Sequence, residues 1–372
     1  MAGHHSPHIA ELTPYTPGMS PREAAAAFGV SPDDVVKLGS GENPFGPSPA
    51  AVRAIAETVP ALHRYPEWTA ADLRRTIAAT LDISPERIVC GAGETELISC
   101  LIRAFAGPGD EVLMHRPTFP IYHLYAEAEG RAPVFADGGD GPVLDVEDLA
   151  ARVGPRTRLV FLTSPHNPSG RVVRREDLRH VRRMAEDALV VMDEAYIHFA
   201  DGPSAVDLLD ELPNLVVLRT FSKAYGLAGL RVGFGIASEE IVRVLMRVKP
   251  TWNVGPLQVA GAVAALDDHE HVARTAAMVR RMRETMVREI DALPAFRVVP
   301  GSQANFVLVR VEPPELTSTD VFRALAKSGL IVKDGSVSYL GLADRYLRID
   351  VGTEPVVARL VAALRDISEA VS

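Results

Sequence analysis

Short, β-branched apolar runs recur through the middle of this chain, separated by longer stretches whose apolar residues fall at helical spacing. Residues 87–90, 111–114, 158–162, 189–192, 215–218 and 232–236 read as strands, and 94–105 and 175–187 as helices between them. Strands divided by helices pair in parallel through crossovers, and runs without polar alternation are buried on both faces. The alternation therefore predicts an α/β fold, with a central, mostly parallel sheet flanked by helices. Ligands of such sheets gather beyond the carboxyl ends of the strands.

The two ends of the chain read differently. Residues 1–35 are Pro-rich and irregular, an arm with a short helix over 21–28. After about residue 267 the pattern becomes a long helix (269–293), strand-like 296–299 and 305–309, a helix over 319–327, a strand over 346–351 and a last helix from 355. A length of 372 residues leaves room for two domains. The expected division is an arm at 1–35, a large domain at 36–275 and a small C-terminal domain at 276–372. The arm and the C-terminal part together make the smaller α+β unit.

Composition narrows the partners. Lys and Arg total 39 against 48 Asp and Glu, a net charge of -9, which suits neither a general nucleic-acid binder nor a protein of anionic membranes. No run approaches the roughly 18 apolar residues of a membrane helix. The opening MAGHHSPHIAELTPYTPG lacks the apolar stretch of a secretory signal. Cys90 and Cys100 have neither metal-ligand nor redox spacing and are expected to be buried thiols in a reducing cytoplasm. His4, His5 and His8 are too loosely grouped to predict a metal, so none is expected.

The chemistry-bearing run is Leu218-Arg219-Thr220-Phe221-Ser222-Lys223-Ala224-Tyr225-Gly226-Leu227-Ala228-Gly229-Leu230-Arg231. A lysine becomes a nucleophilic amine when it is desolvated near other cations. Hydroxyls with a nearby arginine are what a phosphate needs. Taken alone, the run reads equally well as a loop with an exposed lysine. Two further polar segments each follow a separate predicted strand: Thr163-Ser164-Pro165-His166-Asn167-Pro168-Ser169-Gly170 and Asp193-Glu194-Ala195-Tyr196. One could be a turn and the other a helix cap, but three such segments in order, each at a strand end, point to one site.

These segments resemble the signature of pyridoxal-phosphate aminotransferases of fold type I, most closely the histidinol-phosphate aminotransferase family. Thr13-Pro14-Tyr15-Thr16-Pro17-Gly18, Ser40-Gly41-Glu42-Asn43-Pro44, Arg64-Tyr65-Pro66 and Tyr346-Leu347-Arg348-Ile349 extend the resemblance over nearly the whole chain. It implies pyridoxal 5'-phosphate as cofactor, with Lys223 its covalent anchor and the group that moves the proton. Asp193 would face the pyridinium nitrogen, and Asn167 and Tyr196 the ring hydroxyl oxygen. Thr220, Ser222 and Arg231 would hold the phosphate, helped by the backbone of Gly93, Glu94 and Thr95 at a helix start. Phe119 would stack on the ring, and Tyr65 would reach the phosphate in a partner subunit, making a homodimer with shared sites. Arg348 would clamp the substrate carboxylate, with Asn167 beside it and Ser302 to Phe306 at the border. Tyr15 and Lys333 would meet the donor's distal end. The substrates implied are a histidinol phosphate-like amino donor and a 2-oxo acid such as 2-oxoglutarate.

Three departures leave the donor open. Lys333 stands where the family has an arginine, residues 335–345 form a longer segment than usual, and Gly41 replaces an asparagine. The competing readings are an aromatic or specialised-pathway aminotransferase, and a decarboxylase or lyase on the same scaffold. A non-catalytic regulator is disfavoured, because no basic N-terminal segment is present.

Overall fold

A computed structural model describes residues 7–137 and 141–371. His4 and His5 lie outside the described residues, and His8 sits in a short helix, Pro7–Ala10. Twelve strands are found among the described residues: β1 (Val36–Leu38), β2 (Ile88–Gly91), β3 (Glu111–Arg116), β4 (Ala132–Asp137), β5 (Thr157–Thr163), β6 (Leu189–Asp193), β7 (Leu215–Thr220), β8 (Gly233–Ile236), β9 (Phe296–Val298), β10 (Phe306–Val311), β11 (Leu330–Asp334) and β12 (Tyr346–Asp350).

Seven strands form the main sheet in the order β2-β8-β7-β6-β5-β3-β4. Those from β7 through β4 in that order are all parallel. Successive residues point to opposite faces. Leu159 and Phe161 of β5 therefore pack with Leu97, Ile98 and Leu101 of helix Glu94–Phe105 on one side. Val160 and Leu162 pack with Leu178 and Val181 of helix Arg175–Met184 on the other. Each such fully buried side chain contributes roughly 1.5–3 kcal/mol. The α/β architecture read from the sequence holds.

Two details of the sheet differ from the sequence reading. Strand β8 runs antiparallel to both β7 and β2. The segment between β7 and β8 holds only a short 3-10 turn, Ala228–Leu230, so it returns the chain as a hairpin does instead of crossing over. Strand β4 escaped notice because Pro133 interrupts its run. An edge position, paired to β3 alone, is where a strand tolerates proline.

The second sheet has the order β1-β11-β12-β10-β9. Its core joins Phe306, Val307 and Ile349 to Met282 and Met286 of the long helix His269–Asp291 and to Leu360 and Leu364 of helix Glu354–Ala370. Strand β1 follows the N-terminal arm and pairs in parallel with β11, Val36 opposite Leu330, so the arm enters the C-terminal sheet directly. Residues 275 and 276 both lie inside the single helix His269–Asp291. No helix among the described residues is long and apolar enough to cross a membrane.

Candidate active site

The carboxyl ends of β5, β6 and β7, together with residues of β11 and β12, line a cavity of about 340 Å³. The residues expected to meet cofactor or substrate line it except Gly93 and Tyr65, and the expected border segment 302–306 lies outside the lining. Gly93 lies just behind the wall. Tyr65 is 81% exposed, its ring stacked on Trp252 at 4.6 Å.

Lys223 follows β7 in a loop closed by its own backbone, with the Gly226 N–H donating to the Lys223 carbonyl at 3.0 Å. Its Nζ donates to the Ser40 carbonyl at 3.0 Å and lies 5.5 Å from the centre of the Tyr196 ring. Burial, then the nearby Arg348 charge, lowers the Lys223 pKa to about 8. Around neutrality a useful fraction of the amine is therefore uncharged and nucleophilic. Gly41, at φ +64, backs onto this amine. A Cβ there would stand 2.9 Å from Nζ, so glycine at this departure leaves the lysine room.

Asp193 ends β6 and is 3% exposed. Its Oδ1 accepts from the Ala195 N–H at 2.9 Å, and its Oδ2 accepts from the Tyr122 hydroxyl. The Tyr122 oxygen also lies 3.0 Å from Thr163 Oγ1. Beside it, the Glu94 carboxyl is held well above the usual range by burial and then by the Asp193 charge. The sequence assigns only the backbone of Glu94 to the site, yet its side chain reaches the wall beside Asp193. Phe119 lies against Tyr122, ring centroids 5.7 Å apart and nearly perpendicular.

At the end of β7, Thr220 Oγ1 donates to Ser222 Oγ at 2.9 Å, and Arg231 Nη1 donates to Ser222 Oγ at 3.4 Å. Opposite them helix Glu94–Phe105 begins at Gly93, with no side chain capping its free N–H groups. Gly93 has φ +81, and a Cβ there would collide with the Arg231 guanidinium. Free amides at a helix start, two hydroxyls and an arginine without an ion pair among the described residues make a site for a phosphate.

Arg348 lies 3% exposed over the Phe306 ring, 4.6 Å from its centre. Its Nη2 donates to Asp350 Oδ1 at 3.0 Å and to the Gly39 carbonyl at 2.9 Å, and Nη1 to Asn167 Oδ1 at 3.1 Å. Its buried Nε has no hydrogen-bond partner. Lys333 stands opposite Arg348 in the β11–β12 pairing, and burial, then the Arg348 charge, lowers its pKa to about 8. Tyr15 closes this side, 40% exposed. Asn305, expected at the border, lies outside the lining and instead donates to the Gly41 carbonyl at 3.1 Å.

The residues fit a planar phosphorylated aldehyde such as pyridoxal phosphate: an amine to bond it, a carboxylate for a ring nitrogen, a phosphate cradle and Phe119 on the wall. Three contributors were missed by sequence reading. Tyr122 sits in a helix, Ile121–Ala128, where its spacing reads as core. Thr163 ends β5 beside it. Tyr339 lies in the longer 335–345 segment, and its hydroxyl donates to Asn167 Oδ1 at 2.7 Å. Among the described residues no cluster of His, Cys, Asp and Glu is placed to hold a metal.

The family model described as aminotransferase class I and II matches residues 33–364. A histidinol-phosphate aminotransferase of Anaeromyxobacter sp. (strain Fw109-5) is 41% identical over 96% of this chain and 97% of its own. That of Methanothermobacter thermautotrophicus is 37% identical over 93% of this chain and 92% of its own. Among solved structures, the histidinol-phosphate aminotransferase of Sinorhizobium meliloti in complex with pyridoxal-5'-phosphate superposes with a TM-score of 0.90. It is 25% identical and covers 100% of this chain and 99% of its own. With the family model matched over residues 33–364 and relatives aligned over nearly the whole chain, the chain belongs to the class I and II aminotransferases.

Proposed function

We propose that this protein is a pyridoxal-phosphate-dependent transaminase that moves the amino group of L-histidinol phosphate to a 2-oxo acid such as 2-oxoglutarate. The observation that carries the reading is the charge of the cavity. Lys223, Arg231 and Lys333 all line it without an ion-pair partner among the described residues, and Lys37 and Arg348, paired with Glu42 and Asp350, bring the basic side chains to five. The cofactor phosphate matches Arg231 with Thr220, Ser222 and the amides of Gly93, Glu94 and Thr95. The substrate carboxylate matches Arg348, and a distal phosphate matches Lys333 with Tyr15.

Bound there, pyridoxal phosphate supplies the sink for the electrons of the donor's Cα–H bond. Lys223 would hold the cofactor covalently and, once the donor displaces it, would carry the proton from the donor's Cα to the cofactor. Asp193 would keep the ring nitrogen protonated, and Asn167 and Tyr196 would donate to the ring hydroxyl oxygen. The unpaired, buried thiols of Cys90 and Cys100 support a cytoplasmic place of action.

With pyridoxal phosphate, histidinol phosphate and 2-oxoglutarate, the purified protein should form glutamate in step with donor loss and release no CO₂. Release of CO₂ would move it to the decarboxylases. Lys333→Ala should weaken the phosphorylated donor by roughly 1.5–3 kcal/mol, about 10- to 150-fold in KM, and leave phenylalanine unaffected. The acting form of Lys333 is its cation, lost as pH rises through about 8. Accordingly kcat/KM for the phosphorylated donor should fall above that pH, and less so for a donor without the distal anion. Equal turnover of both donors, indifferent to Lys333→Ala, would favour a broad aromatic aminotransferase.

A homodimer with shared sites is supported by the exposed aromatic patch of Tyr65, Trp68 and Trp252, which are 81%, 48% and 48% exposed. Mixing Lys223→Ala with Tyr65→Phe protein should restore activity above both parents, because one site of the heterodimer holds both native residues. No recovery despite demonstrated subunit exchange would mean independent sites.

A further inference from the structure

We infer that Tyr339 is the positioning residue of Asn167, fixing which end of its amide faces the cofactor; this rests on the transaminase reading above. Asn167 is 4% exposed, and an amide can present either its oxygen or its NH₂ to a ligand. In this chain the choice is made from behind. Oδ1 accepts from the Tyr339 hydroxyl at 2.7 Å and from Arg348 Nη1 at 3.1 Å. Arg348 can only donate, and because its guanidinium also bonds the Tyr339 oxygen, the Tyr339 proton is left for Asn167 Oδ1; the amide oxygen is held toward both and Nδ2 remains the donor for the ring oxygen.

The two partners are not equivalent. Arg348 is the group that a substrate carboxylate draws away, and its bond to Asn167 is the longer one. Tyr339 carries no charge for a substrate carboxylate to draw away, and its hydroxyl also meets the Arg348 guanidinium. It is 2% exposed, and its ring packs with Leu308 and Leu342. Burial pushes its hydroxyl up to about 12, so it stays a donor throughout the working pH range.

The segment that carries Tyr339 is pinned at both ends. Asp334, before the short helix Gly335–Ser338, accepts from Thr319 Oγ1 at 2.8 Å and lies 3.1 Å from Ser318 Oγ. Asp344, after it, accepts from Ser318 Oγ at 2.6 Å and from the Thr319 N–H at 2.9 Å. The longer 335–345 segment thus delivers a rigidly held hydroxyl to a residue that touches the cofactor. Its length, a departure from the family pattern, acquires a role.

The test uses the holoenzyme and Tyr339→Phe, which keeps the packed ring and removes only the hydroxyl. A donor at the ring oxygen favours loss of the proton from the Lys223–cofactor linkage, so freeing Asn167 to turn should raise the pH midpoint of the bound cofactor's visible absorbance. The charged and titratable groups around that linkage (Arg348, Asp350, Glu94, Glu42, Lys333, Asp193 and Tyr196) are all kept by the substitution, and the Asn167→Ala background separates the path through Asn167 from any effect of Tyr339 on Arg348 and Tyr196. The kcat should fall about tenfold, the size of one hydrogen bond, with KM for the donor changed less. In an Asn167→Ala background the same substitution should change neither the midpoint nor kcat. A midpoint that does not move, or an equal effect with and without Asn167, would overturn the positioning role. Absence of any visible band in the unsubstituted protein would overturn the transaminase reading, and this proposal with it.

Discussion

Lys223→Ala is expected to abolish covalent capture of pyridoxal phosphate and to slow transamination on the order of 10⁴-fold, since one residue is both anchor and proton carrier. The fold should survive the change. The loop around Lys223 is held by backbone bonds, Leu227 N–H to the Phe221 carbonyl at 3.0 Å and Phe221 N–H to the Val232 carbonyl at 3.1 Å, neither of which uses the side chain. The amine bonds only the Ser40 carbonyl, and removing it unburdens the site of a desolvated cation. Borohydride reduction followed by peptide mapping should place the pyridoxyl group on Lys223 alone. Label on another lysine, with Lys223→Ala still turning over, would remove it from the centre of the mechanism.

The cofactor-side residues that could be read from the sequence mostly share one property: they lie at or just past the end of an apolar run. Asp193 and Thr220 close β6 and β7, and Asn167, Ser222 and Lys223 follow β5 and β7, whose runs are unmistakable because both faces are buried. Polar residues immediately after such runs stand out. Tyr122 does not, because an aromatic at helical spacing beside Ile121 and Ala126 looks like any core residue. Only tertiary packing brings its hydroxyl to Asp193. Tyr339 was hidden for a different reason: it sits in a connection without period, and its partner Asn167 is far away in sequence. The antiparallel course of β8 was hidden as well. Its own residues look like those of a parallel strand, and direction is set by what the preceding loop can span. The Glu94 side chain was discounted in favour of its amide, whereas pairing with Asp193 depends on a distance that no spacing encodes.

Asp193→Asn should leave cofactor binding largely intact and slow the proton-transfer step by roughly 10²–10³-fold, the usual cost of removing a preorganised charge from a dry site. Asparagine has the same shape. Its retained oxygen can keep the Ala195 N–H, and its NH₂ can donate to the Tyr122 oxygen if that hydroxyl turns to Thr163, 3.0 Å away. The proposed phosphate site at Arg231, Thr220 and Ser222 is untouched, so affinity should change little. The loss is electrostatic: the ring nitrogen keeps a proton only against a negative neighbour, and without it the electrons of the Cα–H bond have a weaker sink. Glu94 makes the result sharper. Its carboxyl is held well above the usual range by burial and then by the Asp193 charge, so removing that charge lowers its pKa and makes a second carboxylate easier to form nearby. The residual rate of Asp193→Asn should therefore drop further when Glu94→Gln is added, although Glu94→Gln alone changes the rate little. Single-turnover rates measured from the absorbance of the bound cofactor decide the matter. A rate for Asp193→Asn within threefold of the unsubstituted enzyme would mean that this carboxylate does not face the ring nitrogen.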